Sequence, residues 1–557
     1  MNMNFERGFQ WVIRSGYVFG ILVIIVFLPF SKFILSVGMW IVTVAWTLDR
    51  VNIRRLLDFF SCGTQPRKII FSIPFMLGLW AVSIAKGFRA FFRAGPALIL
   101  ASVFALHVLG LIFTTDFDYA FRDLRIKLPM ILLPLYLSTS KAFSKQEFHG
   151  FMAIFFLNIL IVTIANTWNL TTYDYIDIRD ISKHVSHVIL ALLICLAQFT
   201  VLYFIVRKSH LHWAARVAGI ILIGWFLVYM IISRSFTGIA VTLITLMVLS
   251  VVYIFLSRKY WLKSAFAMIF LSVLIGGFFY IRSVVNDYYT VESIDPARLE
   301  KFSPRGNPYV HIPENRHVEN GHYVWIFIQW EELREAWNKR SEITFDSLDR
   351  KGQEIKFTVI RYMTSKGLRK DADGMAQLTS QDISAIERGV PNVINLDRFS
   401  IRGRLYELLM GYDTYISTGN PTGSSMMQRL EFWKASTGII GENWLTGVGS
   451  GDLNEAFALQ YEKMQTKLAP DQRWRSHNQF LSITIAFGLI GLAWFLLSLI
   501  YPAWYHRGFR DYFFLVFFII GILSMFTEDT LESQAGVTFF YFFYSFFLFA
   551  RREQDRL

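Results

Sequence analysis

The chain is 557 residues long, 54% hydrophobic and 17% charged, with a formal charge of +13. Soluble domains carry about 25% charged residues, so an ordinary soluble enzyme is excluded, and 54 Phe, 16 Trp and 24 Tyr exclude a disordered chain. Two cysteines, Cys62 and Cys195, cannot build a disulfide framework or a cysteine zinc site. Cys195 sits inside an apolar run and reads as a neutral buried thiol.

Dense apolar runs occupy 17–30, 33–48, 96–114, 128–139, 149–167, 187–206, 213–232, 236–256, 261–281, 479–501, 512–526 and 535–550. Several approach the ~20 residues that cross a bilayer core as helix. The run 128–139 is short and contains Pro129 and Pro134. The expected fold class is an all-α polytopic membrane protein with about twelve transmembrane helices. The first run follows Arg7 and Arg14 without a small-residue cleavage site, which predicts a retained signal anchor.

A further run, 69–85, is ambiguous. Arg50, Arg54, Arg55, Arg67 and Lys68 precede it, and Lys86, Arg89 and Arg93 follow it. Basic residues on both flanks suit an interfacial or re-entrant segment. If the run does cross, the early topology needs one more pass, or one fewer elsewhere.

Between 282 and 476 the chain turns polar, with no spanning run. That stretch is expected to be one large, mostly helical loop domain, between an N-terminal membrane part (1–281) and a C-terminal one (477–557). Within it, 329–340 has Trp330, Leu333 and Trp337 at helical spacing. Pro304 to Pro308 is a turn cluster. Thr379 begins a short helix that Gly389 can end, and Arg429 to Ile440 reads as a helix stopped by Gly441.

Basic residues in short connections set orientation. Arg207–Lys208, Arg258–Lys259–Lys263, Arg507–Arg510 and Arg551–Arg552 fall in alternate connections and belong on the cytoplasmic side. The segments 168–186, 233–235, 282–476 and 527–534 then face outward, and both termini are cytoplasmic. Charge at membrane flanks accounts for the net +13, so nucleic acid is not an expected partner and membrane lipids are.

Candidate chemistry gathers on the outer side. Arg234, in Ser233-Arg234-Ser235, reads either as an interfacial anchor or as an anion contact. Arg429 shares a helix face with Trp433 and is either solvated or functional. Gly447-Val-Gly449-Ser-Gly451 opens a helix; it is either a plain turn or a phosphate cradle of backbone N–H groups. Arg473, Arg475, His477 and Asn478 stand directly before the run 479–501. His477 is either a structural interfacial histidine or a general base kept neutral by nearby positive charge. His184 and His187 more readily cap a span than bind metal, because no third ligand stands at suitable spacing. Glu528, Asp529 and Glu532 either pair with the arginines or are solvated. Acidic residues are essentially absent from the runs, which argues against an ion-coupled transporter. The outer arginines together suit a lipid-anchored substrate with pyrophosphate as its charged handle.

The chain resembles the O-antigen ligase family of bacterial inner-membrane proteins. The resemblance rests on Arg429-Leu-Glu-Phe-Trp433, Gly447-Val-Gly449-Ser-Gly451, His477-Asn478-Gln479-Phe480-Leu481 and Gly488-Leu-Ile-Gly491. Lys127-Leu-Pro129 with Leu133-Pro134-Leu135, and Ser233-Arg234-Ser235-Phe236-Thr237-Gly238, add to it. It implies a GT-C-like, metal-independent, cofactor-free, inverting glycosyltransferase. A glycan would pass from undecaprenyl pyrophosphate to a sugar hydroxyl of lipid A–core or another glycan acceptor. His477 would be the catalytic base. Arg234 and Arg429 would hold the pyrophosphate, with Arg473, Arg475, Asn478, Gly447, Gly449 and Gly451 completing the substrate site. O-antigen polymerases and protein O-oligosaccharyltransferases share the signature, and a transporter or flippase of lipid-linked sugars is the reading from another class. The chain departs from the family at Phe236 and after His187, and residues 285–425 match no family pattern.

Overall fold

A computed structural model describes residues 2–52, 54–55, 66–173, 181–182, 185–207, 212–256, 260–396 and 400–552. His184 and Cys62 lie outside them. Among the described residues, nine helices are long and apolar enough to cross a membrane: Glu6–Phe27, Ile73–Arg93, Gly95–Phe113, Lys145–Leu170, His187–Arg207, Trp213–Ile232, Phe236–Phe255, Lys263–Tyr289 and Gln479–Tyr505. Three shorter apolar helices, Lys32–Leu48, Tyr512–Thr527 and Gln534–Leu548, accompany them. The helix His187–Arg207 is apolar all round and buries Val188 through Val201 without interruption, as a helix at the centre of a bundle must. Helices toward the rim leave Ile220, Ile221, Leu243 and Ile490 exposed, a surface suited to lipid rather than water.

Two segments bear on the number of passes. The run 69–85 lies within the helix Pro66–Arg93, whose portion Ile73–Arg93 is long and apolar enough to span. The run 128–139 forms only the eleven-residue helix Pro129–Thr139, about 16 Å of rise. It continues from Phe117–Lys127 with Leu128 alone between them, itself helical in its dihedrals. Pro129 lacks the N–H that would continue the ladder, so one long helix breaks into two.

The chain divides into two compact units, Met1–Val252 with Arg429–Leu557, and Tyr253–Gln428. The sequence put these limits at 282 and 476. The compact unit instead gives way after Gln428, because Phe432, Ala435, Ile439, Leu453, Phe457 and Tyr461 bury in the same apolar core as the bundle helices. At the other limit, the helix Tyr260–Tyr289 packs on Ile401–Thr418. Tyr288 and Tyr406 meet at 5.2 Å, and Arg402 pairs with Asp287 at 3.0 Å.

The second unit has its own core of Val324, Ile328, Leu333, Trp337, Phe345, Ile360, Tyr362 and Met363. Trp330–Asn338 is the helix the spacing predicts, with Leu333 and Trp337 fully buried and Trp330 packed at the edge. Thr379 and Asp382 form a capping box on Ser380–Glu387, and Gly389, at φ +74°, ends it. A two-stranded hairpin, Val318–Glu319 with His322–Tyr323, turns on Asn320-Gly321, both left-handed as that turn requires.

Candidate functional site

The site grows from the start of the helix Gln479–Tyr505. Asn478 caps it, its side-chain oxygen accepting from Phe480 N at 3.0 Å and Leu481 N at 3.2 Å. Its amide group donates to the Phe526 carbonyl. Asn478 is therefore engaged in fixing the helix start. The residue before the cap, His477, has φ +45°. A non-glycine residue in that region needs support from its surroundings. Asp529 supplies it: the carboxylate accepts from His477 N at 3.1 Å, Asn478 N at 3.0 Å, Ser476 Oγ at 3.1 Å and Ser482 Oγ at 2.7 Å. Burial pushes the Asp529 carboxyl up, and Glu532 adds to that, against the hydrogen bond from Ser482 and the charge of Arg475.

The same short connection orients the His477 ring. Glu528 Oε2 lies 3.2 Å from His477 Nδ1, and Glu528 Oε1 accepts from Arg429 Nη2 at 2.8 Å. Phe432 packs beside the imidazole at 5.6 Å, and Trp433, one turn beyond Arg429, donates its indole N–H to the Ser476 carbonyl. Side-chain exposures of 34% for His477, 32% for Arg429 and 23% for Glu528 leave all three within reach of a ligand.

A buried ion cluster adjoins this group. Glu532 Oε2 contacts Lys127 Nζ at 3.1 Å and Arg475 Nη1 at 3.4 Å, and Lys127 also pairs with Asp123, four residues before it. Arg475 stands over the Tyr119 ring. Gln479 donates to Glu532 and accepts from Leu531 N at 2.7 Å. Two positive and two negative groups balance, which a buried cluster requires. Burial alone would raise the Glu532 carboxyl, but Lys127 and Arg475 outweigh it and hold it at about 2. Burial likewise works against the Arg475 cation, and Glu532, Tyr119, Asp529 and Asp123 together more than offset it. A small void beside the cluster is lined by His107, Ser450 and Phe487 as well as the four charged groups.

The glycine turn does something other than cradle phosphate. The helix Gln479–Tyr505 breaks at Gly488, which has φ +64° and ψ −168°. The segment 444–451 lies against the break. Val448 N donates to Ile485 O, Gly449 N to Ala486 O, and Leu489 N to Trp444 O, all between 2.8 and 3.0 Å. Gly451 N donates to Thr114 Oγ1 and Ser450 N to Gly110 O. A Cβ at Gly447 would press into Ala486 and Phe487, and one at Gly451 into Asp116. The glycines are needed for close backbone approach, and these N–H groups are bonded inside the protein. Asp452 extends the clasp, accepting from Thr115 N and Asp116 N at 2.9 Å.

Arg234 is exposed at the tip of the turn between Trp213–Ile232 and Phe236–Leu256, at φ +51°. Arg473 donates its Nε to the Leu468 carbonyl. His187 opens the helix His187–Arg207. Cys195 is a buried thiol beside Thr242 and the Gly238 carbonyl, as its sequence setting predicts.

Residues 393–496 match the family model described as O-antigen ligase. Over that segment, about a fifth of its length, the chain is similar to the O-antigen ligase family. No curated protein matches it. The matched segment contains Arg429, the glycine clasp, His477 and Asn478. Their partners Glu528, Asp529, Glu532 and Lys127 lie outside it. The three acidic residues left one hint in the sequence, a cluster on the same predicted face as the arginines. Lys127 stands in the Lys-Leu-Pro motif, where only the sequence pattern marked it.

Proposed function

We propose that the protein is a membrane glycosyltransferase of the O-antigen ligase and polymerase type, with ligation onto lipid A–core as the activity. The observation that carries this reading is the Arg429–Glu528–His477 group, within and beside the family-matched segment. With its Nδ1 proton donated to Glu528, His477 presents the Nε2 lone pair to a sugar hydroxyl, the tautomer a general base requires. Arg429 offers the planar fork that suits phosphate oxygens, and Arg234 supplies a second cation on an outer turn. Arg473 and Arg475 add positive charge on either side of Trp474.

In this mechanism the acceptor oxygen attacks the anomeric carbon from the face opposite the pyrophosphate. The carbon–oxygen bond to undecaprenyl pyrophosphate breaks, and its electron pair leaves with the phosphate. The hydroxyl proton passes to His477 Nε2 and then to water. Attack from the opposite face inverts the anomeric centre. Arg429 stabilises the negative charge that develops on the leaving group, a preorganised electrostatic role. No metal or cofactor is assigned to this reaction. The site would face the periplasm from a GT-C-like fold in the inner membrane, with both termini cytoplasmic.

The test is reconstitution of the full chain with a lipid-linked glycan and an acceptor. Transfer without nucleotide, slowed at least about 100-fold in His477→Ala, is the expected result. Full transfer by that variant removes the base assignment. A deletion strain separates ligase from polymerase: loss of a ligase leaves long glycans on the polyprenyl carrier, whereas loss of a polymerase leaves single repeats on core.

A further inference from the structure

Glu528 faces two partners of different charge. Its contact to Arg429 is short, 2.8 Å, and its contact to His477 is longer, 3.2 Å. Before donor binding, the Arg429–Glu528 pair is neutral in sum and His477 needs no counter-ion. Glycosyl transfer creates two new charges together. The departing pyrophosphate gains the electron pair of the broken bond, and His477 gains the acceptor's proton. Pyrophosphate then competes for Arg429 just as the imidazolium comes to need an anion.

We infer that Glu528 is a positioning residue that passes from Arg429 to His477 when pyrophosphate takes the arginine, so that donor binding readies the base. The inference rests on the reading of His477 and Arg429 given above. Three observations support it. One carboxylate uses a different oxygen for each partner, so it can strengthen one contact without first breaking the other. All three side chains are partly exposed, so an anionic ligand can reach the guanidinium. The neighbouring charged groups are committed elsewhere: Asp529 to the main chain of His477 and Asn478, and Glu532 to Lys127 and Arg475. Glu528 is within hydrogen-bond reach of the His477 ring, while Asp529, bonded to its main chain, acts on the imidazole through charge alone.

The experiment uses the full chain in detergent or liposomes, with Glu528→Gln, Glu528→Asp and His477→Ala. Inorganic pyrophosphate serves as the probe of Arg429, read as inhibition of transfer or as direct binding. The expected result for Glu528→Gln is a fall in kcat of about 100-fold, within the range for losing base assistance. Pyrophosphate should bind that variant several-fold more tightly, because Arg429 has lost its internal competitor. Glu528→Asp should recover part of kcat. In His477→Ala, adding Glu528→Gln should still tighten pyrophosphate binding without lowering the residual rate further. A purely structural role would weaken rate and pyrophosphate binding together, and that outcome overturns the inference. So does a Glu528→Gln kcat within a factor of two of wild type. A wild-type chain that neither transfers glycan nor binds pyrophosphate overturns the parent reading, and this one with it.

Discussion

The Asp529 carboxylate accepts the main-chain N–H of His477 at 3.1 Å, so the connection before the last helix holds the proposed base in a left-handed conformation. Three further donors share the carboxylate, from Ser476, Asn478 and Ser482. Asp529→Ala would leave these buried or half-buried donors without their acceptor, at about 1–3 kcal/mol for each one left unsatisfied. The expected outcome is a lowered unfolding midpoint and a transfer rate reduced at least tenfold. Asp529→Asn keeps the shape and one acceptor oxygen and should fall between the two. Thermal unfolding and transfer kinetics on the same preparations check both.

The Lys127–Glu532 contact ties the broken helix pair, Phe117–Lys127 and Pro129–Thr139, to the connection that carries Glu528 and Asp529. Removing one partner of a buried ion pair typically costs about 3–5 kcal/mol, because the remaining charge is uncompensated. Lys127→Met leaves Asp123 and Glu532 facing Arg475 alone, and should be severely destabilised. The double variant Lys127→Met with Glu532→Gln restores the charge balance of the cluster. It should recover much of the lost stability, which denaturation of the detergent-solubilised proteins measures. A double variant no more stable than Lys127→Met would show that the cluster acts through packing instead.

Acid stability follows from the same cluster. The Glu532 carboxyl sits at about 2 in the folded chain against an ordinary value of 4.5. A depressed carboxyl stabilises the fold fully above its unfolded value, and that contribution is lost as pH falls from about 4.5 toward about 2. Asp529 works in the opposite sense, because its raised carboxyl is relieved by protonation. Unfolding midpoints measured from pH 5 to pH 2 should therefore fall for wild type, and fall less in the Lys127→Met, Glu532→Gln double variant. An identical acid limb in both proteins would assign the acid loss to other groups.

Much of the fold was legible because a bilayer demands long apolar helices, and hydropathy reads that demand directly. The short run 128–139 departs for a physical reason. Counting apolar residues treats each run alone, yet Pro129–Thr139 is completed by the polar helix Phe117–Lys127 before it. Ile73–Arg93, flanked by basic residues, is long enough to cross in spite of them. At the site, the sequence marked Arg429, His477 and Asn478 by residue type and spacing. It left the partners of Glu528, Asp529 and Glu532 open, because contacts between connections far apart in the sequence leave no local periodicity. The glycine turn shows the converse limit. Glycines permit close approach of either a phosphate or another backbone. Only the folded position of Ile485 and Ala486 shows which one this turn meets.

That clasp yields a paired prediction. At Gly488, φ is +64° and an added Cβ would run into the main chain of Leu445 and Thr446. Gly488→Ala therefore combines an unfavourable backbone region with a steric clash against atoms that cannot turn away. It should cost about 3 kcal/mol or more, in the range reserved for core overpacking and special backbone positions. Because the break joins the segment after Arg429's helix to the helix that follows His477, transfer should fall with stability. Gly441 is the control. It lies in the helix Ser425–Glu442, and a Cβ there meets nothing within 4 Å. Gly441→Ala should be neutral or stabilising by up to about 1 kcal/mol through helix propensity alone. Unfolding midpoints and transfer rates of the two variants, purified side by side, decide the matter. Equal tolerance at both positions would mean that the break in the helix is dispensable.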